Sequence, residues 1–104
     1  MTEVTDPNDP GLKKIRPDGQ QENYLVLSEE ERAKGFVRPL RNKYIHLACG
    51  TETIMGTALS ETYARDPKFY SGTFCVACGK HFQLIDENGN FTFIWESDGF
   101  PVGS

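Results

Sequence analysis

Apolar positions are sparse over the first quarter of the chain and dense over the rest. Residues 1–23 contain Pro7, Pro10 and Pro17 with Gly, Asn, Asp and Gln between them, and only Val4, Leu12 and Ile15 as sizeable aliphatic side chains. Such a stretch cannot bury enough apolar surface to offset the entropy of ordering, so residues 1–23 are expected to form a flexible N-terminal arm, extended where it is ordered at all. Tyr24-Leu25-Val26-Leu27 then precedes Ser28-Glu29-Glu30-Glu31. Here the Ser28 hydroxyl can cap the Glu31 amide while the Glu31 carboxylate reaches back to the Ser28 amide, which predicts the start of a short helix. Three glutamates suit its positive end, Arg32 and Lys34 suit the other, Gly35 offers a left-handed stop, and Pro39 prevents continuation. Residues 24–43 thus read as a short surface helix and a basic connector.

The pattern becomes denser over residues 44–104. Tyr44, Ile45 and Leu47 form a β-prone stretch running into His46, Cys49 and Gly50, and a second extended piece follows at Thr51 to Met55. Gly56-Thr57 opens Ala58 to Arg65, where Leu59, Thr62 and Tyr63 fall near one another at helical spacing; Pro67 forces Asp66 out of helical geometry, so this predicted helix has two turns or slightly more. Phe69 and Tyr70 lead through Gly72 into Thr73-Phe74-Cys75. His81 to Ile85 and Phe91 to Glu96 flank Asp86-Glu87-Asn88-Gly89-Asn90, whose Asn-Gly pair predicts a turn, so residues 81–96 are expected as a β-hairpin. Phe91, Phe93 and Trp95 alternate and are expected to form a core face. The chain has no internal repeats.

Composition bounds what such a pattern can build. With 104 residues, 38% of them hydrophobic, and a mean hydropathy of −0.50, there is room for one small domain, and a two-domain enzyme is excluded. Without the arm, about 80 residues remain, a marginal size for a core that lacks a disulfide or a metal. Three cysteines cannot form a fully paired disulfide framework, whereas three cysteines and one histidine make a complete four-ligand set. No run approaches the roughly 18 apolar residues of a membrane span, and the N-terminus lacks a signal-peptide pattern, so a soluble, intracellular protein with no membrane partner is expected.

Charge is unevenly spread. Residues 1–43 carry eight Lys/Arg and eight Asp/Glu, while residues 44–104 carry Arg65, Lys68 and Lys80 against seven acids, so the whole net charge of −4 falls on the second part. Only Arg32, Lys34, Arg38, Arg41 and Lys43 form a local basic run. It reads as a solvated connecting segment in preference to a nucleic-acid contact, because no clustered aromatics accompany it for base stacking.

The chemistry lies in two tight pairs. His46-Leu47-Ala48-Cys49-Gly50 and Cys75-Val76-Ala77-Cys78-Gly79 are H-x2-C and C-x2-C, with 25 residues between Cys49 and Cys75. A two-residue spacer in a tight turn brings both side chains to one side, and the following glycine lets the backbone turn without a Cβ clash. Two such knuckles complete a tetrahedral site for one Zn2+ ion, using every cysteine. The same donors can hold iron. A redox-active C-x-x-C reading expects a βαβ setting and a helix at the first cysteine, which the pattern lacks. His81, three residues after Cys78, is an alternative fourth ligand; His46 is preferred because it completes a second knuckle, leaving His81 as a core or supporting histidine.

Catalytic zinc keeps an open position, and four protein ligands leave none. Three thiolates also weaken the Lewis acidity on which water activation depends. The deaminase pattern needs a Glu two residues after its His ligand, and position 48 is Ala. No Ser/His/Asp signature, phosphate loop or H-E-x-x-H motif is present. The tract Glu61 to Pro67 reads as a surface helix with an Arg-Asp stop, and no catalytic residue is assigned.

The segments H-L-A-C-G-T-E-T-I-M-G, E-T-Y-A-R-D-P-K-F-Y-S-G-T-F-C-V-A-C-G-K-H-F and F-I-W-E-S-D-G-F-P-V-G, with L-S-E-E-E-R-A-K-G-F-V-R-P upstream, resemble a family of small zinc-ribbon-like proteins encoded by tailed bacteriophages and prophages. The resemblance covers residues 25–104 and is most specific over 61–75. It implies His46, Cys49, Cys75 and Cys78 as recurring ligand-like positions, includes His81, and implies the cytoplasm of a phage-infected bacterium, or the virion, as the setting. The expected fold is a small metal-stabilised α+β domain of zinc-ribbon or rubredoxin-like zinc-finger type, with a short helix between its knuckles and a C-terminal β-hairpin. The expected role is a non-catalytic module that binds a host or phage protein; a nucleic-acid-binding zinc finger and a virion accessory protein are the alternatives.

Overall fold

Local signals account for most of the elements, and distant contacts for how they are joined. The computed structural model describes residues 2–104. In chain order these form β1 (Thr2–Val4), a 3-10 turn (Pro10–Lys13), β2 (Asn23–Leu25), α1 (Glu29–Arg32), β3 (Lys43–His46), β4 (Glu52–Ile54), α2 (Thr57–Arg65), β5 (Gly72–Cys75), β6 (Lys80–Gln83) and β7 (Phe93–Trp95). The result is a small mixed α/β fold with three short sheets: β1 beside β2, β4-β3-β7, and β5 beside β6. The core gathers Tyr44, Leu59, Tyr63, Cys75, Phe93, Trp95 and Val102.

The two predicted helices form where expected. Ser28 accepts from the Glu31 amide at the start of α1, but the reciprocal half of the capping box is missing, because the Glu31 carboxylate instead pairs with Lys34 at 2.7 Å. Helix α2 ends at Asp66, which leaves helical geometry at φ −139° ahead of Pro67. This helix is not a surface one: Leu59, Ser60, Thr62, Tyr63 and Ala64 are all buried, and Tyr63 meets the Trp95 ring edge-on at 5.5 Å.

Residues 1–23 are expected as a flexible arm, extended where ordered; Met1 lies outside the described residues, and residues 2–23 fold back on the domain. β1 runs parallel to β2 in the register Thr2↔Asn23, Glu3↔Tyr24, Val4↔Leu25, and Ile15 bridges Gln21. Apolar burial does little here; polar anchors do the work. The Asp9 carboxylate accepts from the Gly11 amide at 2.8 Å and from the Asn23 side chain at 2.7 Å. Glu3 accepts from the Leu59 amide at 3.0 Å, and so caps α2, whose own N-cap Gly56 has no side chain to offer. A helix N-terminus leaves amides unpaired and carries positive potential, so a carboxylate placed there stabilises both partners.

The expected hairpin at 81–96 is also corrected. The chain does reverse at Asp86 to Asn90, where the Asp86 carboxylate accepts from the Asn88 and Asn90 amides at 2.9 Å. Backbone pairing across that turn goes no further than the Ile85↔Phe91 bridge and the Thr92 amide donating to Leu84 O at 3.0 Å, with the Thr92 hydroxyl donating to Gln83 O. β6 pairs with β5 and β7 with β3. The reason is burial: Phe93 and Trp95 are essentially inaccessible, a position they reach only beside His46 and Tyr44 of β3. Phe91 lies outside that pairing and stays partly exposed. On its free side β7 receives the C-terminal segment, with Val102 donating to Phe93 O at 3.0 Å and Trp95 to Phe100 O at 2.8 Å.

Candidate metal centre

Each ligand pair sits on a tight turn at the end of a strand. β3 delivers His46, whose carbonyl accepts from the Gly50 amide at 2.7 Å, while the Cys75 carbonyl at the end of β5 accepts from the Gly79 amide at 2.9 Å. Gly50 and Gly79 have φ of 73° and 66°, the left-handed region in which a side chain is strained. The Val76 amide, inside the second knuckle, donates to the Thr53 hydroxyl at 3.2 Å, which ties the C-x2-C turn to the strand that follows the H-x2-C turn.

The two turns meet. His46, Cys49, Cys75 and Cys78 each present one ligand atom, and the four atoms all lie within 4.8 Å of one another, so the group can hold one metal ion. Cys49 Sγ stands 3.4 Å from His46 Nδ1 and 3.5 Å from Cys75 Sγ, and Cys78 Sγ stands 3.7 Å from His46 Nδ1. A tetrahedron with metal–sulfur bonds of about 2.3 Å and metal–nitrogen bonds of about 2.0 Å has edges of about 3.5 to 3.8 Å, so the donor set fits such an ion. The sulfurs are too far apart for a disulfide, which needs about 2.05 Å, and all three cysteines are free. His46 and Cys75 are buried while Cys49 and Cys78 face solvent.

The thiols influence one another. The Thr51 amide beside Cys49 brings that thiol down to about 6, whereas hydrogen bonding to Cys75 and the proximity of Cys49 push Cys78 up to about 11. Adjacent thiolates repel, so a first negative charge on Cys49 opposes the next, and a cation among them relieves that opposition. The His46 ring is held between Phe82, at 4.4 Å, and Phe93, stacked at 4.6 Å. The aromatic face expected only as core is therefore also a clamp on a ligand. Sequence alternation placed Phe93 on the core side, but only the His46↔Phe93 register revealed the contact.

His81 is not part of the cluster, and strand parity explains why. In the β5–β6 pair Phe74 stands opposite His81, and Cys75 opposite Lys80. Successive side chains of a strand point to opposite faces, so His81 shares the face of Phe74, while Cys75 shares the other with Phe82. His81 Nε2 lies 2.9 Å from the Tyr24 hydroxyl, and burial lowers its pKa.

The basic run is largely taken up within the fold. Arg32 bonds Glu61 and Leu27 O, and Lys34 bonds Glu31. Arg38 reaches Ser104 O at 3.3 Å. Arg41 was expected in a solvated connector, yet it is buried, paired with Asp98 at 3.0 Å and stacked over Trp95 at 4.8 Å. Lys43 remains exposed. Among the described residues no helix is long and apolar enough to cross a membrane. No family model, curated protein or solved structure matches the chain.

Proposed function

We propose that His46, Cys49, Cys75 and Cys78 hold one structural zinc ion in a zinc-ribbon-like arrangement, and that the protein is a non-catalytic module that binds another protein. The observation that carries the metal reading is the convergence of four donor atoms within 4.8 Å. A donor set of three sulfurs and one nitrogen favours zinc among common divalent ions. Four protein donors fill its coordination sphere, and Ala48 stands where a deaminase-type proton carrier is needed. In that role zinc locks the two knuckles together and activates no water.

Two features support a protein partner. Leu47 and Val76, at the tips of the knuckles, are more than half exposed, next to a net-negative domain. Three of the five cations in the 32–43 run already have carboxylate partners, which weakens the field a nucleic acid requires. The motif resemblance supports a phage-infected bacterial cell as the setting.

Elemental analysis of the purified full chain is expected to give one zinc per chain. Photo-crosslinking from position 76 in bacterial cells is expected to capture a discrete protein, and to lose it when Leu47→Asp is added with zinc content unchanged. Absence of stoichiometric metal removes the first half of the reading. Submicromolar, steeply salt-dependent DNA or RNA binding, abolished by reversing Arg38 and Lys43, replaces the second half with the zinc-finger alternative.

A further inference from the structure

Between β4 and β5 lies a half-open cavity of about 330 Å³, lined by residues 52–55 on one side and 72–74 on the other. Tyr63, Tyr70 and Leu59 line it too. Consecutive side chains of a strand point to opposite faces, so a cavity touched by an unbroken run of strand residues lies along the strand's edge and not over one face.

The hydrogen-bond register fixes which backbone groups meet that space. The Met55 amide donates to Asn42 O at 2.8 Å and the His46 amide to Thr51 O at 3.1 Å, with Thr53 opposite Tyr44 between them. In an antiparallel pair every second residue bonds the partner. Thr51, Thr53 and Met55 therefore face β3, and the N–H and C=O of Glu52 and Ile54 face away from it. Among the described residues these four groups have no hydrogen-bond partner. The edge of β5 differs. The Leu84 amide donates to Ser71 O at 2.9 Å, so by the same alternation Gly72 and Phe74 point away from β6. Phe74 O, however, already accepts from the Tyr44 hydroxyl, and the Val76 amide donates to the Thr53 hydroxyl. The fold thus uses much of the β5 edge and leaves the β4 edge open.

An unpaired row of backbone groups is a template for another strand. Glu52 is the one charged side chain lining the cavity, is exposed, and forms no ion pair among the described residues. Val76, the knuckle tip assigned above to the partner's side, lines the same cavity, so the open edge is continuous with that surface.

We infer that β4 takes an extended peptide segment of the partner as an added strand, an inference that rests on the protein-binding reading and names the kind of segment bound. One apolar side chain of the segment enters the tyrosine-lined cavity, and a Lys or Arg lies beside Glu52. Main-chain bonds to Glu52 and Ile54 supply affinity, while the cavity and the carboxylate supply selectivity. The net charge of −4 on residues 44–104 favours the same basic segment.

The purified full chain is used to select binders from a random nonapeptide library. Selected peptides are expected to share an apolar residue flanked by Lys or Arg. Their backbone amides are then methylated one at a time. Binding should fall about tenfold at every second amide and change little at those between, because an added strand turns only alternate N–H groups to its neighbour. Ile54→Pro removes an edge N–H that the ladder with β3 does not use, and should weaken binding about tenfold with metal content unchanged. Glu52→Gln should weaken it about threefold, with a smaller loss at high salt. If Ile54→Pro fails to fold, the methylation pattern on the unaltered chain decides the matter. No selected peptide, or binding indifferent to methylation at every position or to Ile54→Pro in a folded chain, overturns the proposal. So does a dimer of the free chain that dissociates with Ile54→Pro, which assigns the edge to a second copy. A cellular protein crosslinked from position 76 that neither Ile54→Pro nor the selected peptide displaces overturns the strand site alone. Peptides that bind with the alternating pattern, when no cellular protein is captured, uphold the strand site and remove the wider partner reading instead.

Discussion

In the knuckles, ligand atoms are placed by spacings of three residues, His46 to Cys49 and Cys75 to Cys78, and the turns are closed by their own carbonyls. The N-terminal segment is placed from far away: Glu3 reaches the Leu59 amide and Asp9 reaches Asn23. Gly19, at the tip of that segment, lies so close to the second knuckle that a Cβ on it would stand 1.8 Å from Gly79 O. One region therefore writes its geometry in a short motif, while the other depends on single polar contacts that exist only after the rest has folded. The comparison shows that weak hydrophobicity does not by itself make a segment a free arm, provided a few of its polar side chains meet unpaired backbone groups.

The largest effect expected is in the knuckles. Cys78→Ser or His46→Ala should release the metal and unfold the domain, because structural zinc contributes about 10–16 kcal/mol of apparent binding energy in small peptides, against about 5–15 kcal/mol for the stability of a whole domain. Metal analysis together with the dispersion of amide resonances measures both consequences; a dispersed, metal-free Cys78→Ser protein would show that the core stands without the site. His81→Ala should retain the metal and cost only about 1 kcal/mol of packing.

Next in size is the point where the two regions touch. Gly19→Ala places a Cβ at φ +93° and against Gly79 O, so it should destabilise by about 1–3 kcal/mol, read from the urea midpoint. An unchanged midpoint would mean that the N-terminal segment does not hold this position in solution.

Removing the remote cap comes third. Glu3→Ala leaves the first turn of α2 without its carboxylate and should cost about 1 kcal/mol, seen as a melting temperature lower by about 4–8 °C. Glu3→Gln, which keeps an acceptor and removes the charge, should recover part of it. Equal melting of all three proteins would detach the segment from α2.

The smallest effect concerns pH. Burial holds His81 below its usual 6.5, so the folded state binds fewer protons than the unfolded one and stability rises with pH in this range. The contribution is complete above 6.5 and is lost as pH falls through the depressed folded value. Ring-proton NMR of the metal-loaded protein should show His81 titrating below an unfolded control; a midpoint at or above the control would mean that its contact with Tyr24 does not bury it.

Both knuckles and both helices were readable because their signals are local: a two-residue spacer with a trailing glycine, a serine three residues before a glutamate, a proline after a helical run. The choice of His46 over His81 was readable only in part, since both spacings suit a metal and the outcome turned on which face of β6 the ring occupies. The hairpin at 81–96 was misread for a related reason. An Asn-Gly turn states that the chain reverses, and alternation states which side chains face inward, but neither names the neighbouring strand. The burial of Phe93 and Trp95 against β3 decided that.

What the sequence by itself determined is thus the donor chemistry, the turns that carry it and the helix between them, because these depend on residues a few positions apart, where backbone geometry leaves few choices. Only the tertiary structure decided that β7 joins β3, that Glu3 caps α2, that Arg41 is buried beneath Asp98, and that four tyrosines enclose a cavity. Those outcomes come from contacts across tens of residues, each weak alone and selected together when the core closes, and no short window of the chain contains both partners.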